Sequence, residues 1–331
     1  MKQIEDRLSE PWRSTAERLG GIEGDIVVLG AGGKMGPTLA MLLKRAAPDK
    51  EVYAVSRFSD SAVKTRLEEA GILTVACDLL NDTSYSKLPD VRNVYYLAGM
   101  KFGASGKQTL TWAMNAYMPA LVAKHYRRAR IAVFSTGNVY PFSDTSTAGP
   151  TEQTDPDPVG EYAWSCLARE RIFEYFSREH GTEVVLVRLN YSNEPRYGII
   201  VDLTRKVMEG IPIDLTMGHV NLIYQADANN YIAQGLPLAK TPPAVLNVAG
   251  PDVLSVRGLA TRIGEKLGRT PSFTGSEART ALLSDASSCV EKFGPPRKPL
   301  DSMLEEIVEW VASGKETLAK PTKYDVRDGK F

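Results

Sequence analysis

The chain has 331 residues, enough to bury one large α/β core or a domain with a smaller partner built on it. Forty Lys plus Arg against forty Asp plus Glu leave a formal net charge of zero, and the short basic run Tyr126-Arg127-Arg128-Ala129-Arg130 reads as a solvated helix end, so nucleic acid is not an expected partner. Three widely spaced cysteines with no CxxC pair and three scattered histidines argue against a disulfide framework and a metal centre. No apolar run reaches membrane-spanning length, which makes a soluble cytoplasmic protein the expectation.

Residues 1–24 read as a helical extension, with Ile4, Leu8, Trp12, Ala16 and Leu19 near helical spacing, packing on the main domain or on a subunit partner. From Asp25 the pattern becomes short β-branched runs, DIVVLG, EVYAVS, ILTVAC, NVYYLAG, RIAVFST and EVVLVRL, separated by longer amphipathic stretches. That alternation predicts βα repeats and a doubly wound parallel sheet of the Rossmann type over residues 25–190. Beyond it, Gly- and Pro-rich loops separate helices at Gln225 to Leu236, Ser255 to Leu267 and Leu300 to Ala312, which predicts a smaller substrate lobe over 191–314 with some return to the sheet. The tail, 315–331, reads as loosely ordered.

The first strand runs directly into Gly30-Ala31-Gly32-Gly33-Lys34-Met35-Gly36 and then into a helix. Glycines at such a turn let the backbone bend sharply and approach a pyrophosphate, whose charge the helix N-terminus stabilises. Gly30, Gly33, Lys34, Met35 and Gly36 are therefore candidate dinucleotide-binding residues, Lys34 either adding charge there or being solvated. The second strand ends in Ser56-Arg57 where an NAD site usually carries an acid. An arginine in that place suits a 2′-phosphate, so NADP is preferred and NAD is possible.

These residues, with those that follow, resemble the extended short-chain dehydrogenase/reductases, the NAD-dependent epimerase/dehydratase group that includes UDP-galactose 4-epimerase, over about Asp25 to Gly314. GAGGKMG is similar to the family's GxxGxxG; Cys77-Asp78-Leu79 resembles its acidic-apolar pair beside the adenine ring; Leu97-Ala98-Gly99-Met100-Lys101 resembles the end of its fourth strand. Asn115 in MNAYMPALV matches an asparagine on the next helix, FSTGNVYPF the Ser/Thr-bearing strand end, Thr151-Glu152 with Asp155-Pro156 the TE…P loop, and YAWSCLARE the YxxSKxxxE helix. VLNVAGPDVLSVRGLATRIGEKLG and LSDASSCVEKFG resemble the group's substrate lobe.

The resemblance implies that Tyr162 exchanges a proton with the substrate oxygen while hydride moves to or from a nicotinamide, and that Thr136 orients that oxygen. It implies cofactor contacts from Asp78, Leu79, Leu97, Ala98, Gly99, Lys101, Asn115 and Tyr162, substrate contacts from Asn190 and Asn193 in RLNYSNEPRYG, and a homodimer through the helices near Gln108 to Arg127 and Tyr162 to His180.

One letter departs from the pattern. Cys166 stands where the family's lysine would lower the tyrosine pKa. It reads as a small packing residue in an unreactive site, as a change that shifts the load onto another cation, or as a thiol with its own role. Lys101 is the expected replacement cation, or else a surface lysine. Arg169, seven residues after Tyr162, lies about 10 Å further along the helix axis and reads as a poor substitute. The expectation is an NAD(P)-dependent oxidoreductase or epimerase/dehydratase acting on a sugar, nucleotide-sugar or related hydroxyl/carbonyl compound, the alternative being a weak or inactive NADP(H)-binding subunit. A hydrolase lacks an assignable histidine.

Overall fold

The structure, a computed structural model, describes residues 2–101 and 106–330; Phe102 and Gly103 of the AGMKFG stretch lie outside the described residues. Seven strands form the main sheet: β1 (Ile26–Leu29), β2 (Val52–Ser56), β3 (Leu73–Ala76), β4 (Asn93–Tyr96), β5 (Arg130–Thr136), β6 (Glu183–Leu189) and β7 (Ala244–Val248). Their order is β7-β6-β5-β4-β1-β2-β3, and the pairings of β1 with β2 and β4, β2 with β3, and β4 with β5 are all parallel. The order reverses across β1, so the crevice beyond the carboxyl ends of the strands is where a ligand of such a sheet belongs.

The helices are α1 (Lys2–Leu8), α2 (Arg13–Gly20), α3 (Gly36–Ala46), α4 (Ser61–Glu69), α5 (Gln108–Trp112), α6 (Met118–His125), α7 (Gly160–His180), α8 (Ile199–Glu209), α9 (Gln225–Gly235), α10 (Val256–Leu267), α11 (Ser287–Phe293) and α12 (Leu300–Ala312). Among the described residues, no helix is long and apolar enough to cross a membrane.

The chain divides into two compact units, one of Met1–Thr136, Glu161–Arg188 and Asn229–Leu246, the other of Gly137–Gly160, Leu189–Ala228 and Asn247–Phe331. In the first unit, β1 and β4 are buried along their whole length because helices cover both faces, which is why these segments read as continuous apolar runs. Val27, Leu29, Val94, Tyr96, Ile131 and Val133 meet Met118, Val122 and Phe173 of α6 and α7 on one face. The strand order places β5 beside β4, so Thr136, the catalytic candidate on β5, lies next to the end of β4.

The N-terminal extension is two helices held within the first unit by a buried polar clamp. Asn230 accepts from the Trp12 backbone N–H at 2.8 Å and the Thr15 hydroxyl at 2.7 Å, and its amide donates to the Glu10 carbonyl at 3.0 Å. Trp12 meets Tyr231 edge-on, with ring centroids 5.2 Å apart. In the second unit the tail is held, contrary to expectation. The Asp202 carboxylate accepts from both the Thr322 N–H and hydroxyl, at 2.8 and 2.6 Å, and the Arg327 guanidinium donates to the Thr280 carbonyl at 2.7 Å while stacking 4.3 Å from the Phe142 ring centroid. These are side-chain contacts without hydrophobic periodicity, so the tail carries no pattern from which docking could be read.

Candidate active site

The turn after β1 is shaped by two close approaches. Gly30 has φ +87°, and a Cβ there would lie 2.6 Å from the Ala98 backbone nitrogen, so only glycine lets this turn pass the end of β4. At Gly36 a Cβ would lie 2.5 Å from the Ala31 carbonyl oxygen, which holds the start of α3 hard against the turn. Gly32 and Gly33 are exposed between them, Lys34 is half-buried, and buried Met35 precedes α3 without a side-chain cap on the first-turn amides. A Cβ at Gly32 would also fall 2.5 Å from the Ser56 hydroxyl. Bare backbone at an uncapped helix start is the shape and polarity that a pyrophosphate needs.

Beside this turn, Ser56 accepts from the Phe58 N–H at 3.4 Å, and Arg57 is exposed. Asp78 is exposed past β3 and accepts from the Leu80 N–H at 3.1 Å, while Leu79 is buried in the core. Leu97 donates its N–H to the Leu29 carbonyl at 2.8 Å, continuing the β1–β4 pairing one residue past β4, directly before Ala98 and Gly99.

Asn115 lies on a π-helical turn, Ala113–Tyr117, between α5 and α6. Such a turn inserts an extra residue and re-aims a side chain. The Asn115 Oδ1 accepts from the Met100 N–H at 2.7 Å; its Nδ2 donates to the Met100 carbonyl at 2.9 Å and to the Ser165 hydroxyl at 3.0 Å. Ser165 donates in turn to the Tyr162 carbonyl at 2.7 Å, tying the end of β4 to the first turn of α7.

Tyr162 keeps part of its ring accessible, but its hydroxyl end is desolvated and hydrogen-bonded to Thr136 and Cys166. Burial pushes the phenol well above its ordinary value and Cys166 adds to the rise; the Arg169 charge and the Thr136 hydrogen bond pull the other way. Cys166 is buried, and burial also raises its thiol, opposed by Arg169 and by the bond to Tyr162. Both groups are therefore neutral at pH 7. The Lys101 ammonium stands 5.8 Å from the Tyr162 ring centroid.

The structure thus brings Tyr162, Thr136, Cys166, Lys101 and Asn115 together within the first unit. Asn190 and Asn193 belong to the second unit and are both buried. The Asn190 amide donates to the Leu282 carbonyl at 3.4 Å, and Asn193 donates to the Tyr191 carbonyl at 2.7 Å while accepting from the Ile200 N–H at 3.2 Å. Their amides hold backbone.

One residue dismissed on sequence grounds is at the centre of this group. Arg169 is 6% exposed; its Nη1 donates to the Phe134 carbonyl and its Nη2 to Asn115 Oδ1, each at 2.7 Å. The axial rise of two turns understated its reach, because helical side chains lean toward the N-terminus and a long stem carries the guanidinium back toward Tyr162. The usable signal was the stripe 162, 166, 169 on one helix face. Next to it, Glu170 accepts from Arg188 Nε at 3.1 Å and Nη2 at 2.7 Å, and also from the Ser135 hydroxyl.

A model of the family described as NAD dependent epimerase/dehydratase matches residues 26–211, more than half of the chain. No curated protein matches it. Among solved structures, MoeE5 in complex with UDP-glucose and NAD is 20% identical with a TM-score of 0.71, the alignment covering 88% of this chain and 99% of that one. UDP-glucuronic acid 4-epimerase from Bacillus cereus in complex with NAD is 18% identical with a TM-score of 0.74, covering 88% and 100%. UDP-glucose 4-epimerase with UDP-glucose from Thermotoga maritima is 18% identical with a TM-score of 0.71, covering 88% and 99%. At these identities the likeness is one of fold. The ordered family match, on a doubly wound sheet with a bare glycine turn after its first strand, shows that the chain belongs to the NAD-dependent epimerase/dehydratase family.

Proposed function

We propose that this chain is a nicotinamide-dinucleotide-dependent enzyme that interconverts a hydroxyl and a carbonyl carbon of a sugar or nucleotide sugar, with Tyr162 handling the proton. The observation that carries this reading is the Tyr162 hydroxyl, desolvated and bonded to the Thr136 hydroxyl beside the end of β4. The glycine turn and the start of α3 would hold the pyrophosphate, with Asp78 and Leu79 toward the adenine, and Lys101, Asn115 and Gly99 toward the nicotinamide half. A bound dinucleotide supplies the hydride acceptor or donor.

The chain's own residues then favour one direction. A phenol held well above its ordinary value is a proton donor at neutral pH, and donation is what reduction of a carbonyl asks of Tyr162. Thr136 donates to or accepts from the same substrate oxygen and fixes the carbon for transfer. Nucleotide sugars are the preferred substrate class because structural neighbours were solved with UDP-glucose and UDP-glucuronic acid. Ser56 in place of an acid, followed by exposed Arg57, supports NADP over NAD. Exposed Leu110, Trp112, Tyr117, Trp164 and Tyr175 on and between α5, α6 and α7 support a homodimer through that face.

A second reading, a dinucleotide-binding protein without turnover, is favoured by Cys166 alone, since a neutral thiol cannot supply a lysine's charge. The test is titration with NADPH and NADH, followed by a screen of UDP-sugars and keto-sugars for a change in the reduced-nicotinamide absorbance. Binding with turnover supports the first reading; saturable binding with no turnover supports the second; no binding of either dinucleotide overturns both.

A further inference from the structure

We propose that Arg169 is the working positive charge of this site, relocated one helical turn from the place where the family carries a lysine, and that Cys166 and Arg169 form a single exchange. The inference rests on the reading of Tyr162 as the proton-handling residue. Arg169 does not touch the reacting oxygen; it acts through the field it sets at Tyr162 and is a positioning residue.

Four observations support this. The first is the charge itself. The Arg169 acceptors are a carbonyl and an amide oxygen, its guanidinium lies 5.8 Å from the Tyr96 ring centroid, and among the described residues its Nε is buried without a hydrogen-bond partner. The adjacent carboxylate, Glu170, is taken by Arg188 and Ser135. A buried cation with neutral contacts is costly, and packing alone would be served by Met or Leu.

The second is its place. Phe134, which receives one N–H, precedes Thr136 by two residues on β5; Asn115, which receives another, links through Ser165 to Tyr162. The third is the room made for it. A Cβ at Gly99 would collide with Arg169 Nη2 and lie 2.8 Å from Asn115 Oδ1, so the glycine at the end of β4 is a condition for the arginine's position.

The fourth is helix geometry. Positions 162, 166 and 169 form an i, i+4, i+7 stripe, and 166 and 169 are neighbours at i, i+3. A lysine at 166 would set two cations side by side in a buried place, whereas a thiol leaves the guanidinium space to fold back. Consistent with this, Arg169 is the foremost group favouring both the Tyr162 phenolate and the Cys166 thiolate.

The test is a cycle of Cys166→Lys, Arg169→Met and the double variant, with Arg169→Lys as the conservative control, read by melting temperature without ligand and by kcat on a substrate that the wild type turns over. Cys166→Lys alone is expected to melt lower than wild type, and each of Cys166→Lys and Arg169→Met to lose at least about tenfold in kcat. The double variant is expected to regain most of both losses and Arg169→Lys to keep more activity than Arg169→Met. A Cys166→Lys protein as stable and active as wild type would overturn the proposal, as would additive losses in the double variant. If no substrate is found, the melting arm still decides: recovery in the double variant supports the exchange even where the reading of the reaction fails, and additivity refutes it.

Discussion

The Tyr162 hydroxyl and the Cys166 thiol are hydrogen-bonded across one turn of α7, so to the rise that burial imposes on the tyrosine pKa the side chain standing in a lysine's place adds, where a lysine would subtract. Both groups hold their protons at neutral pH. In the reducing direction the donor form of Tyr162 persists, so the rate stays level from about pH 6 to pH 9, below the ordinary phenol value of about 10. In the oxidising direction the base form is needed and the rate climbs with pH over the same range. Removing the thiol in Cys166→Ala lowers the tyrosine pKa, and the alkaline limb of the oxidation profile moves to lower pH. A profile unchanged by Cys166→Ala would show that the thiol does not act on Tyr162.

Glu170 and Arg188 form a bidentate ion pair with both side chains almost wholly buried, completed by the Ser135 hydroxyl. Truncating one partner strands the other charge. Glu170→Ala is expected to cost about 3–5 kcal/mol by chemical denaturation, whereas replacing both partners by well-packed apolar residues recovers much of that.

Asp202 ties the tail into the second unit. Burial pushes its carboxyl up, against the hydrogen bonds from the Thr322 hydroxyl and N–H that favour the charged form. The folded chain therefore binds this proton more tightly than the unfolded chain, and the stability contributed by the group is lost as pH rises through the raised pKa. Asp202→Asn removes that titration while keeping an acceptor for Thr322. Its melting temperature relative to wild type should rise as the pH climbs from below to above an ordinary Asp pKa of about 3.9. A pH-independent difference would rule this out.

At the turn after β1, Gly36→Val places atoms into the Ala31 backbone and displaces the start of α3, so dinucleotide affinity should fall by at least about tenfold. Arg57→Ala should weaken NADPH binding by roughly tenfold or more, on the scale of one charge-assisted hydrogen bond, and leave NADH within a factor of about two. Equal losses for both dinucleotides would remove Arg57 from the 2′-phosphate.

The sheet was legible because six of its strands are short runs rich in β-branched and aromatic residues, all but β3 buried along most of their length, and the turn Gly30 to Gly36 was legible because its glycines crowd between a strand and a helix. The seventh strand, Ala244–Val248, was harder to place, since its five residues run directly into a loop. Asn229 and Asn230 gave no sign of their role, because a polar pair inside a helix has no periodicity; only the fold shows that they receive the N-terminal helices. Arg169 is not legible in the sequence, because spacing along a helix axis does not measure the distance between side-chain ends. Lys101, by contrast, follows the strand-end motif directly in the sequence, and its ammonium lies 5.8 Å from the Tyr162 ring centroid.

The most direct test of the account is hydride transfer in the wild type and Tyr162→Phe, measured as loss of reduced nicotinamide in single turnover with a confirmed carbonyl substrate. Phenylalanine keeps the ring and removes the proton, so transfer should slow by about 100-fold or more while dinucleotide affinity changes little. Wild-type rates in Tyr162→Phe would contradict the central claim that this hydroxyl carries the proton.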